Sequence, residues 1–479
     1  MEPKRIATSL LVLLLSGTGW AHAQDRHYYQ SDFSREELSE RRAKVFEGIG
    51  SNAIAIVQGA RGTGDFNVFR QSNEFYYLSG IETPHAYLLL DGRNRTATLY
   101  LPHRDAGRER NEGKILSAED EDLLKGLTGI DAVKGVESLS LDLVGKGLLR
   151  PPAPLLFTPL SPAETGTDSR DELLNAQARV SSDPWDGQGS REARFQALLA
   201  SRVPQFEVHD LSPILDAMRA IKSTQEIEMI RRATRIAGLA IIEAMRSTRA
   251  GVYEYQLDAA AKYMFYLHGA RGDGYASIIG GGTNAYLGHY FRKTDRLKDG
   301  DMVLMDYAPD YRYYTSDVTR MWPVSGTYTE EQKQLSDFIK AYRDALLKNI
   351  RPGVTSDVVL DSAKREMARY LQGKQFENPA HLKAVRDGLE FRGHFQHPVG
   401  MAVHDVGLVR GVTLQPGMVF TIDPMIWIHE EHLYIRMEDV VVVTETGAEN
   451  LSAFVPSTTE EIERTMSEDG LLQFRPATD

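Results

Sequence analysis

The feature that most constrains this chain is an alternation of capped helices with short apolar runs, which occurs in two separate blocks. In the first block, the capping-box residues Ser34 and Glu37 predict a helix that continues through Phe46. Apolar runs predicted as strands follow at residues 53–57, 75–78, 87–90 and 96–101. The Asp91-Gly92 pair predicts a turn between the last two of these runs. The first block is therefore an alternating α/β unit.

The second block begins at a capping box from Ser223 to Glu226, and its first helix runs towards the Ala250-Gly251 stop. Apolar residues recur along this helix at helical spacing and are predicted to be core: Ile227, Ile230, Ala237, Ile241 and Met245. Further helices are predicted at residues 256–267, 330–349 and 357–371. Strands are predicted at residues 277–279, 302–306, 312–321, 399–404, 419–423 and 434–444.

A proline-rich stretch separates the two blocks. Five prolines fall within residues 150–162, and residues 181–189 are polar with turn-forming Asp-Pro and Asp-Gly steps. We expect connecting or inserted structure here, and we place the boundary near Ser212. The predicted organisation is an N-terminal domain with its connecting segment at 24–211, followed by a second domain at 212–479.

The first 23 residues have the pattern of a secretory signal peptide. Lys4 and Arg5 precede an apolar run at residues 6–15, and residues 21–23 form a small-x-small cleavage site. The alternative is an uncleaved anchor, but the apolar run is well short of the roughly 20 residues that a membrane-spanning helix needs. We expect an exported protein, periplasmic or secreted, with no membrane attachment after cleavage.

Charge and cysteine content exclude several classes of function. The chain has 55 basic and 67 acidic residues, a net charge of −12, and no basic block, which argues against a nucleic-acid partner. It has no cysteine, which excludes a disulfide scaffold, thiolate metal sites and a cysteine nucleophile. Any chemistry must come from histidines and carboxylates.

Four acidic residues lie where apolar neighbours would bury them: Asp306, Asp317, Asp423 and Glu438. Burial costs several kcal/mol for each charge unless it is compensated. Arg320 and Arg436 are the cations in these segments and are too few, so a pair of divalent metal ions is the better compensation. With His397, the set forms an oxygen-rich site suited to ions such as Mn²⁺. Any one of these aspartates, taken alone, could equally be a turn or cap residue.

An internal similarity links residues 300–306 to residues 417–423. In both segments a glycine turn leads into an apolar strand that ends on aspartate. Chance and duplication both explain it. Duplication predicts two related α/β halves that face each other, with each half supplying one carboxylate.

Several motifs occur together in an order and spacing that is specific: residues 69–80, 288–290, 304–306, 314–320, 397–400, 403–407, 415–418 and 435–439. Through them, most of the chain resembles the aminopeptidase P and prolidase family of dinuclear metallopeptidases. The resemblance implies an α/β (α+β) architecture. A pita-bread catalytic domain, like that of creatinase and methionine aminopeptidase, would follow an aminopeptidase P-type N-terminal domain.

The resemblance also implies roles for individual residues. Asp306 would bind one metal ion, Asp317 and Glu438 would bridge both ions, and His397 and Asp423 would complete the second site. The family usually has glutamate at the position of Asp423, which would also partner the attacking water. Because misplacing a reacting group by about 1 Å can cost about a hundredfold in rate, either the strand lies closer or the second ion is held loosely.

The remaining implied site residues face the substrate. His289 and His404 would hold the substrate or shuttle protons. A further substrate-side histidine is expected where this chain has Gly393, and the adjacent His394 either replaces it or is merely exposed. Arg436, two residues before Glu438 and so on the same strand face, would orient that carboxylate or balance its charge.

The implied activity is that of a metal-dependent exopeptidase with two divalent ions, Mn²⁺ being favoured, that releases the N-terminal residue from peptides with proline in second position. A prolidase acting on Xaa-Pro dipeptides would share every ligand. The departures at Asp423 and Gly393 leave a third reading, a catalytically weakened peptide-binding homologue. A metal-free, creatinase-like hydrolase would not be expected to keep all five ligands. The family also implies a homo-oligomer, a dimer or tetramer.

Overall fold

The computed structural model describes residues 32–62, 67–147 and 155–474. The predicted signal peptide at residues 1–23 lies outside the described residues, as does part of the proline-rich stretch. Within the described ranges, no helix combines the length and the apolar character needed to cross a bilayer.

The N-terminal unit is built on one six-stranded sheet. Its strands are β1 (Ala53–Gln58), β2 (Tyr87–Asp91), β3 (Thr96–Leu101), β4 (Ala132–Gly135), β5 (Leu155–Thr158) and β6 (Glu207–Asp210). The spatial order is β4-β3-β2-β1-β5-β6, with an antiparallel β1-β2-β3 meander and parallel pairing at both outer positions. Since β5 and β6 complete this sheet, the segment expected to be a connector is partly a component of the domain.

The central strand β1 is buried on both faces. Ala53, Ala55 and Val57 pack into a core that also includes residues of the second unit, whereas Ile54 and Ile56 pack into a core on the opposite face. This division follows from the alternation of side chains along a strand. One face of the sheet therefore anchors the two units to each other.

Seven helices are described in this unit: α1 (Arg35–Ile49), α2 (Asn73–Ser79), α3 (Ala106–Glu112), α4 (Glu121–Thr128), α5 (Leu139–Gly147), α6 (Arg170–Ser182) and α7 (Arg191–Arg202). The strand predicted at residues 75–78 is wrong, because this segment is helix α2. Its residues are all buried, so no exposed face gives it a helical period. Gly80, in the left-handed region at φ 67°, ends the helix.

The helices of the second unit are α8 (Ser212–Ala220), α9 (Thr224–Ser247), α10 (Glu254–Leu267), α11 (Glu330–Asn349), α12 (Ser356–Gln372), α13 (Pro379–Glu390), α14 (Thr459–Met466) and α15 (Leu471–Phe474). The boundary proposed near Ser212 thus falls where β6 ends and α8 begins. The predicted capping box at Ser223 and Glu226 is present. Four residues of the predicted stripe are fully buried, and Ile227 is half-buried.

The strands of this unit are β7 (Gly272–Asp273), β8 (Ile278–Gly281), β9 (Met302–Tyr307), β10 (Pro309–Asp310), β11 (Val318–Pro323), β12 (Phe395–Pro398), β13 (Val419–Ile422), β14 (Met425–Ile428), β15 (Leu433–Arg436), β16 (Asp439–Val443) and β17 (Ala448–Asn450). They form a three-stranded sheet, β11-β9-β8, a four-stranded sheet, β12-β13-β16-β17, and the two-stranded pairs β14-β15 and β10-β7. The segments with internal similarity, 300–306 and 417–423, each contain an interior strand, β9 or β13.

Three strands predicted in the second unit differ from the structure. In residues 312–321 the strand begins only at Val318, because Arg312 and Tyr313 have φ values of 52° and 73°, which a strand does not allow. Residues 399–404 form no strand. Residues 434–444 are split between β15 and β16, because the backbone of Glu438 turns aside to pair with Thr319 of β11.

Candidate metal centre and active-site cleft

A cleft of about 750 Å³ opens where the two larger sheets of the second unit face the connecting helix α6. Several predicted site residues line it: His289, Asp306, Asp317, His397, His404, Asp423 and Arg436. Glu438 does not reach the cleft wall and is fully buried. It nevertheless contacts residues that do line the cleft.

Each acidic residue is positioned by a strand or by the end of one. Asp306 lies in β9 and Asp317 directly precedes β11, its antiparallel partner. Asp423 follows β13, and His397 lies in the neighbouring β12. The paired backbones of Thr319 and Glu438 join the two sheets. The fold therefore brings together all five residues predicted to bind metal, although they are spread over more than 130 positions of sequence.

Arg436 connects three of these carboxylates. Its Nε donates to Asp423 Oδ1 at 2.8 Å, and its Nη1 donates to Asp306 Oδ2 at 2.6 Å. Its Nη2 donates to Glu438 Oε2. The predicted contact between Arg436 and Glu438 is present, but its cause is different: the two residues do not share a strand face, because the strand ends between them.

Tyr275 is a site residue that the sequence analysis missed. Its hydroxyl donates to Asp317 Oδ1 at 2.7 Å and also contacts Asp306 Oδ1. Since a hydroxyl carries one proton, it cannot satisfy both carboxylates at the same moment. Nothing in the sequence distinguishes Tyr275 from other aromatic residues beside strands. Thr319, in the motif at residues 314–320, has no role in the sequence-based prediction. Its hydroxyl donates to Glu438 Oε2 at 3.0 Å.

His397 has one ring nitrogen available for a ligand. Its Nδ1 donates to the carbonyl oxygen of Pro398 at 3.2 Å, which leaves Nε2 as the nitrogen with a free lone pair. That Nε2 lies 3.3 Å from Asp317 Oδ2. Burial lowers the pKa of the His397 imidazole, so the ring is neutral at pH 7, the form that binds metals.

If all four buried acids were ionised, they would carry more negative charge than one arginine balances, and their pKa values reflect this. Burial raises the pKa of Asp317 well above its usual range, and the neighbouring Asp306 carboxylate adds to this rise. Burial likewise raises the pKa of Glu438 well above its usual range and that of Asp423 to about 6, against the opposing charge of Arg436. For Asp306, burial is outweighed by Arg436 and by hydrogen bonds, so its pKa is lowered.

These residues fit divalent cations. One donor atom from each of Asp317, His397 and Glu438 lies within 4.8 Å of the others. Glu438 Oε1 is buried and has no hydrogen-bond partner among the described residues, which leaves an oxygen lone pair unused. The available donors are carboxylate oxygens and one imidazole nitrogen, the ligands that hard and borderline divalent ions prefer.

The two substrate-side histidines are placed differently. His289 is exposed on a loop at the cleft, with its ring stacked 6.2 Å from that of Phe291. His404 is half-buried, and its ring centroid lies 4.2 Å from that of His397. The His404 Nδ1 donates to Asp171 Oδ2 at 2.9 Å. The sequence analysis gave Asp171 no role, although residues 169–172 form a capping box that marks the start of α6.

His394 does not occupy the position expected for a substrate contact. Its side chain is fully buried, and its Nε2 donates to the carbonyl oxygen of Gly388 at 2.7 Å. Burial lowers its pKa to about 4. Nor is there room for a side chain at Gly393, where a Cβ atom would lie 2.2 Å from Cζ of Phe391. The Phe391 ring fills the space that the expected histidine would need.

Comparisons with known proteins decide the family. A sequence model described as "Metallopeptidase family M24" matches residues 228–445, and one described as "Aminopeptidase P, N-terminal domain" matches residues 38–145. The "Xaa-Pro aminopeptidase" of Escherichia coli (strain K12) is 30% identical over 463 residues, which cover 91% of this chain and 98% of that protein. The chain belongs to metallopeptidase family M24.

Two further proteins are similar to this M24 metallopeptidase over most of its length. A human "Xaa-Pro dipeptidase" is 28% identical over 496 residues, covering 91% of this chain and 92% of that protein. The solved structure of E. coli aminopeptidase P with the inhibitor Pro-Leu superposes with a TM-score of 0.72 at 27% identity, covering 91% and 98% of the two chains. The predicted two-part architecture and the prediction of a metal-dependent hydrolase are thereby confirmed.

Proposed function

We propose that this M24 metallopeptidase releases the N-terminal residue from peptides whose second residue is proline. The observation that supports the proposal is that the five side chains predicted to bind metal converge, four of them on the wall of one cleft and Glu438 directly behind it. Their chemistry suits peptide hydrolysis, and the similar E. coli protein is named an Xaa-Pro aminopeptidase. The choice of proline rests on that similarity.

We infer that two divalent cations, with Mn²⁺ as the favoured ion, bind to these five residues. Asp317, His397 and Glu438 offer donor atoms within 4.8 Å of one another. Asp306 and Asp423 adjoin them through Arg436, which each of the two carboxylates contacts directly. When bound, such cations polarise the scissile carbonyl and lower the pKa of a water molecule towards neutrality.

The protein's own residues account for the remaining steps. Asp423, on the cleft wall, accepts the proton of the attacking water. Arg436 holds Asp423 Oδ1 and so fixes the direction of this carboxylate. His289, on the cleft wall, donates a hydrogen bond to the developing oxyanion. His404, also on that wall, takes up on Nε2 the proton that Asp423 received from the water and delivers it to the departing proline nitrogen.

A substrate comparison tests this proposal. The Mn²⁺-loaded protein is incubated with matched Xaa-Pro-Yaa and Xaa-Ala-Yaa tripeptides, and release of the first residue is followed. We expect cleavage of the proline peptide and little or none of the alanine peptide. Glu438→Gln, which removes one of the carboxylates proposed to bind metal, serves as the inactive control. Cleavage of the alanine peptide alone would reject the assignment.

A prolidase is the second candidate, because a human Xaa-Pro dipeptidase is similar over most of the chain. Such an enzyme cleaves Xaa-Pro but not Xaa-Pro-Yaa, so a dipeptide added to the same assay separates the two activities. We expect the tripeptide to be the better substrate. Peptide binding without turnover at any metal loading would instead identify a catalytically weakened binding protein.

We also propose that the protein is exported and forms a dimer or tetramer. Export is supported by the positive, apolar and small-residue order of residues 1–23, and oligomerisation by the family resemblance alone. N-terminal sequencing of the mature protein tests the first, with Gln24 expected as the first residue. Light scattering of that protein tests the second.

A further inference from the structure

His404 is attached at two points to the connecting segment between the units. Its Nδ1 donates to Asp171 Oδ2 at 2.9 Å, and its backbone N–H donates to the hydroxyl of Ser169 at 3.1 Å. Ser169 is the residue that caps helix α6, and Asp171 lies in the first turn of that helix. More than 230 positions of sequence separate these partners from His404.

The first turn of α6 is anchored by side-chain contacts to other elements. Arg170, the residue between the two partners of His404, is almost fully buried. Its Nη2 donates to Glu74 Oε1 at 2.8 Å, and its Nη1 donates to Asp216 Oδ1 at 2.6 Å. Glu74 belongs to helix α2 of the N-terminal unit. The position of Asp171 is thereby tied both to the N-terminal unit, through Glu74, and to helix α8 of the second unit, through Asp216.

We propose that Asp171 is a positioning residue for His404. By accepting the proton on Nδ1, the Asp171 carboxylate fixes the tautomer and the ring direction, so that Nε2 is the nitrogen available to substrate in the cleft. The His404 ring lies close beside the His397 ring, so a rotation of the His404 ring would change which of its atoms faces the cleft. Asp171 lies outside residues 38–145 and 228–445, the ranges that the family models match. The inference rests on the role proposed for His404.

A competing role for Asp171 gives a different kinetic result. Asp171, Glu172 and Asp216 all line the cleft, so this acidic wall could instead attract the positively charged N-terminus of a peptide. A residue that binds substrate equally before and during reaction changes KM when it is removed, whereas a residue that orients a group used in the transition state changes kcat. The split between KM and kcat therefore distinguishes the two roles.

Asp171→Ala and Asp171→Asn test the proposal, with Asp168→Asn as the matched control. Asp168 is exposed, lies three positions earlier, and has no hydrogen bond or ion pair with any described residue. The Asp171 side chain is 56% exposed, so its variants should fold, which circular dichroism and thermal unfolding check. Loss of partners that orient an active-site histidine typically costs 10–100-fold. We expect about a tenfold fall in kcat on an Xaa-Pro-Yaa peptide for Asp171→Ala, with KM changed by less than about twofold.

The amide of Asp171→Asn can still accept the Nδ1 proton, so this variant should keep more activity than Asp171→Ala. Equal kcat for Asp171→Ala and Asp168→Asn would overturn the proposal. A rise in KM at unchanged kcat would overturn it in favour of binding to the peptide N-terminus.

A second readout does not depend on activity. In metal-free protein with ¹⁵N-labelled histidines at pH 8, the ring signals of His404, assigned through His404→Gln, should show the Nδ1–H tautomer. Asp171→Ala should shift them towards the mixture of tautomers seen in free histidine, and Asp168→Asn should not. Unchanged His404 signals in Asp171→Ala would contradict the inference even if the protein proved to have another substrate. Absence of proline-directed cleavage by the wild type would defeat only the proposed function.

Discussion

Arg436 faces three buried carboxylates at once. In the metal-free protein it is the cation that contacts Asp306, Asp423 and Glu438, and its own side chain is only 10% exposed. A buried charge that loses its partner is strongly destabilising. The residue therefore stabilises the site before metal binds, and cations should take over part of that role afterwards.

Arg436→Met tests this compensation. We expect the free energy of unfolding of the metal-free protein to fall by about 3–5 kcal/mol, because the buried carboxylates lose the cation that contacts three of them. Mn²⁺ should raise the stability of this variant more than that of the wild type. Arg386→Met, an exposed residue on α13, is the control and should change stability by less than about 0.5 kcal/mol in either direction. Denaturant unfolding with and without Mn²⁺ measures the loss of stability and its recovery by the metal. An equal response to Mn²⁺ in variant and wild type would contradict the proposed compensation.

Asp423 stands where the family usually has the longer glutamate. Its side chain is enclosed, with 1% exposed, and its Oδ1 is already 2.8 Å from Arg436 Nε. In Asp423→Glu an added methylene must displace packed neighbours, and a shift of about 1 Å in a reacting group can cost about a hundredfold. We expect kcat on an Xaa-Pro-Yaa peptide to fall by at least about tenfold. A gain in kcat would show that the shorter acid is a handicap.

Metal binding should release protons from these acids. The pKa of Asp423 is raised from 3.8 to about 6, and burial also raises the pKa values of Asp317 and Glu438. Between pH 4 and pH 6 the Asp423 carboxyl thus binds more of its proton in the folded, metal-free protein than in the unfolded chain, and its contribution to stability falls as the pH rises through this window. Cations require the ionised form, so the affinity for Mn²⁺ should rise with pH across the same window.

Titration calorimetry in two buffers of different ionisation enthalpy counts the protons released. We expect release at pH 5.5, with Asp423→Asn releasing fewer protons than the wild type. Binding with no proton exchange at pH 5.5 would contradict the raised pKa values.

At the scale of elements, helices with local start signals were the most predictable part of the fold. Helix α11 was predicted with both of its ends, and α9 began at the predicted cap. These helices carry their own signals, a capping box and an amphipathic stripe. Helix α2 carries no such stripe, because all seven of its residues are buried, and it was mistaken for a strand.

The break between β15 and β16 shows a second limit of predicting strands from the sequence. Residues 434–444 are apolar enough to read as one strand, and the three charged residues within them, Arg436, Glu438 and Asp439, give no sign of where it breaks. The break arises from pairing to Thr319, more than 100 residues away in sequence. In the site, the sequence points to the acids because each has apolar neighbours that would bury it, whereas Tyr275 and Asp171 depend on long-range packing that no local pattern records.

Helix α9 offers a stability test at a point of close packing. At Gly238 a Cβ atom would lie 2.4 Å from Cζ of Phe454, so Gly238→Ala should lower the free energy of unfolding by about 1–3 kcal/mol through overpacking. Gly126, in helix α4, has open space at its Cβ position. As a control, Gly126→Ala should raise stability by about 0.5–1 kcal/mol. Equal effects in thermal unfolding would show that local helix propensity, and not packing against Phe454, sets the outcome.

At the scale of the whole molecule, the N-terminal unit and the catalytic unit form one structure around the cleft. Arg219 of α8 is almost fully buried and pairs with Glu164 at 2.8 Å and with Asp405 at 2.5 Å. Asp405 adjoins His404 in sequence, and Glu164 precedes helix α6. The ion pairs that connect the two units therefore lie next to the proposed catalytic residues. Substitutions that disturb either unit should alter the geometry of the cleft.

The metal-dependent activity requires that five side chains, contributed by two sheets and the turns beside their strands, hold a pair of divalent cations. Crystals grown with Mn²⁺ and measured on both sides of the manganese absorption edge test it directly. The expected result is two anomalous peaks, about 3.5–4 Å apart, within coordinating distance of Asp306, Asp317, His397, Asp423 and Glu438. No manganese peak among these residues, or peaks bound only elsewhere in the chain, would contradict it.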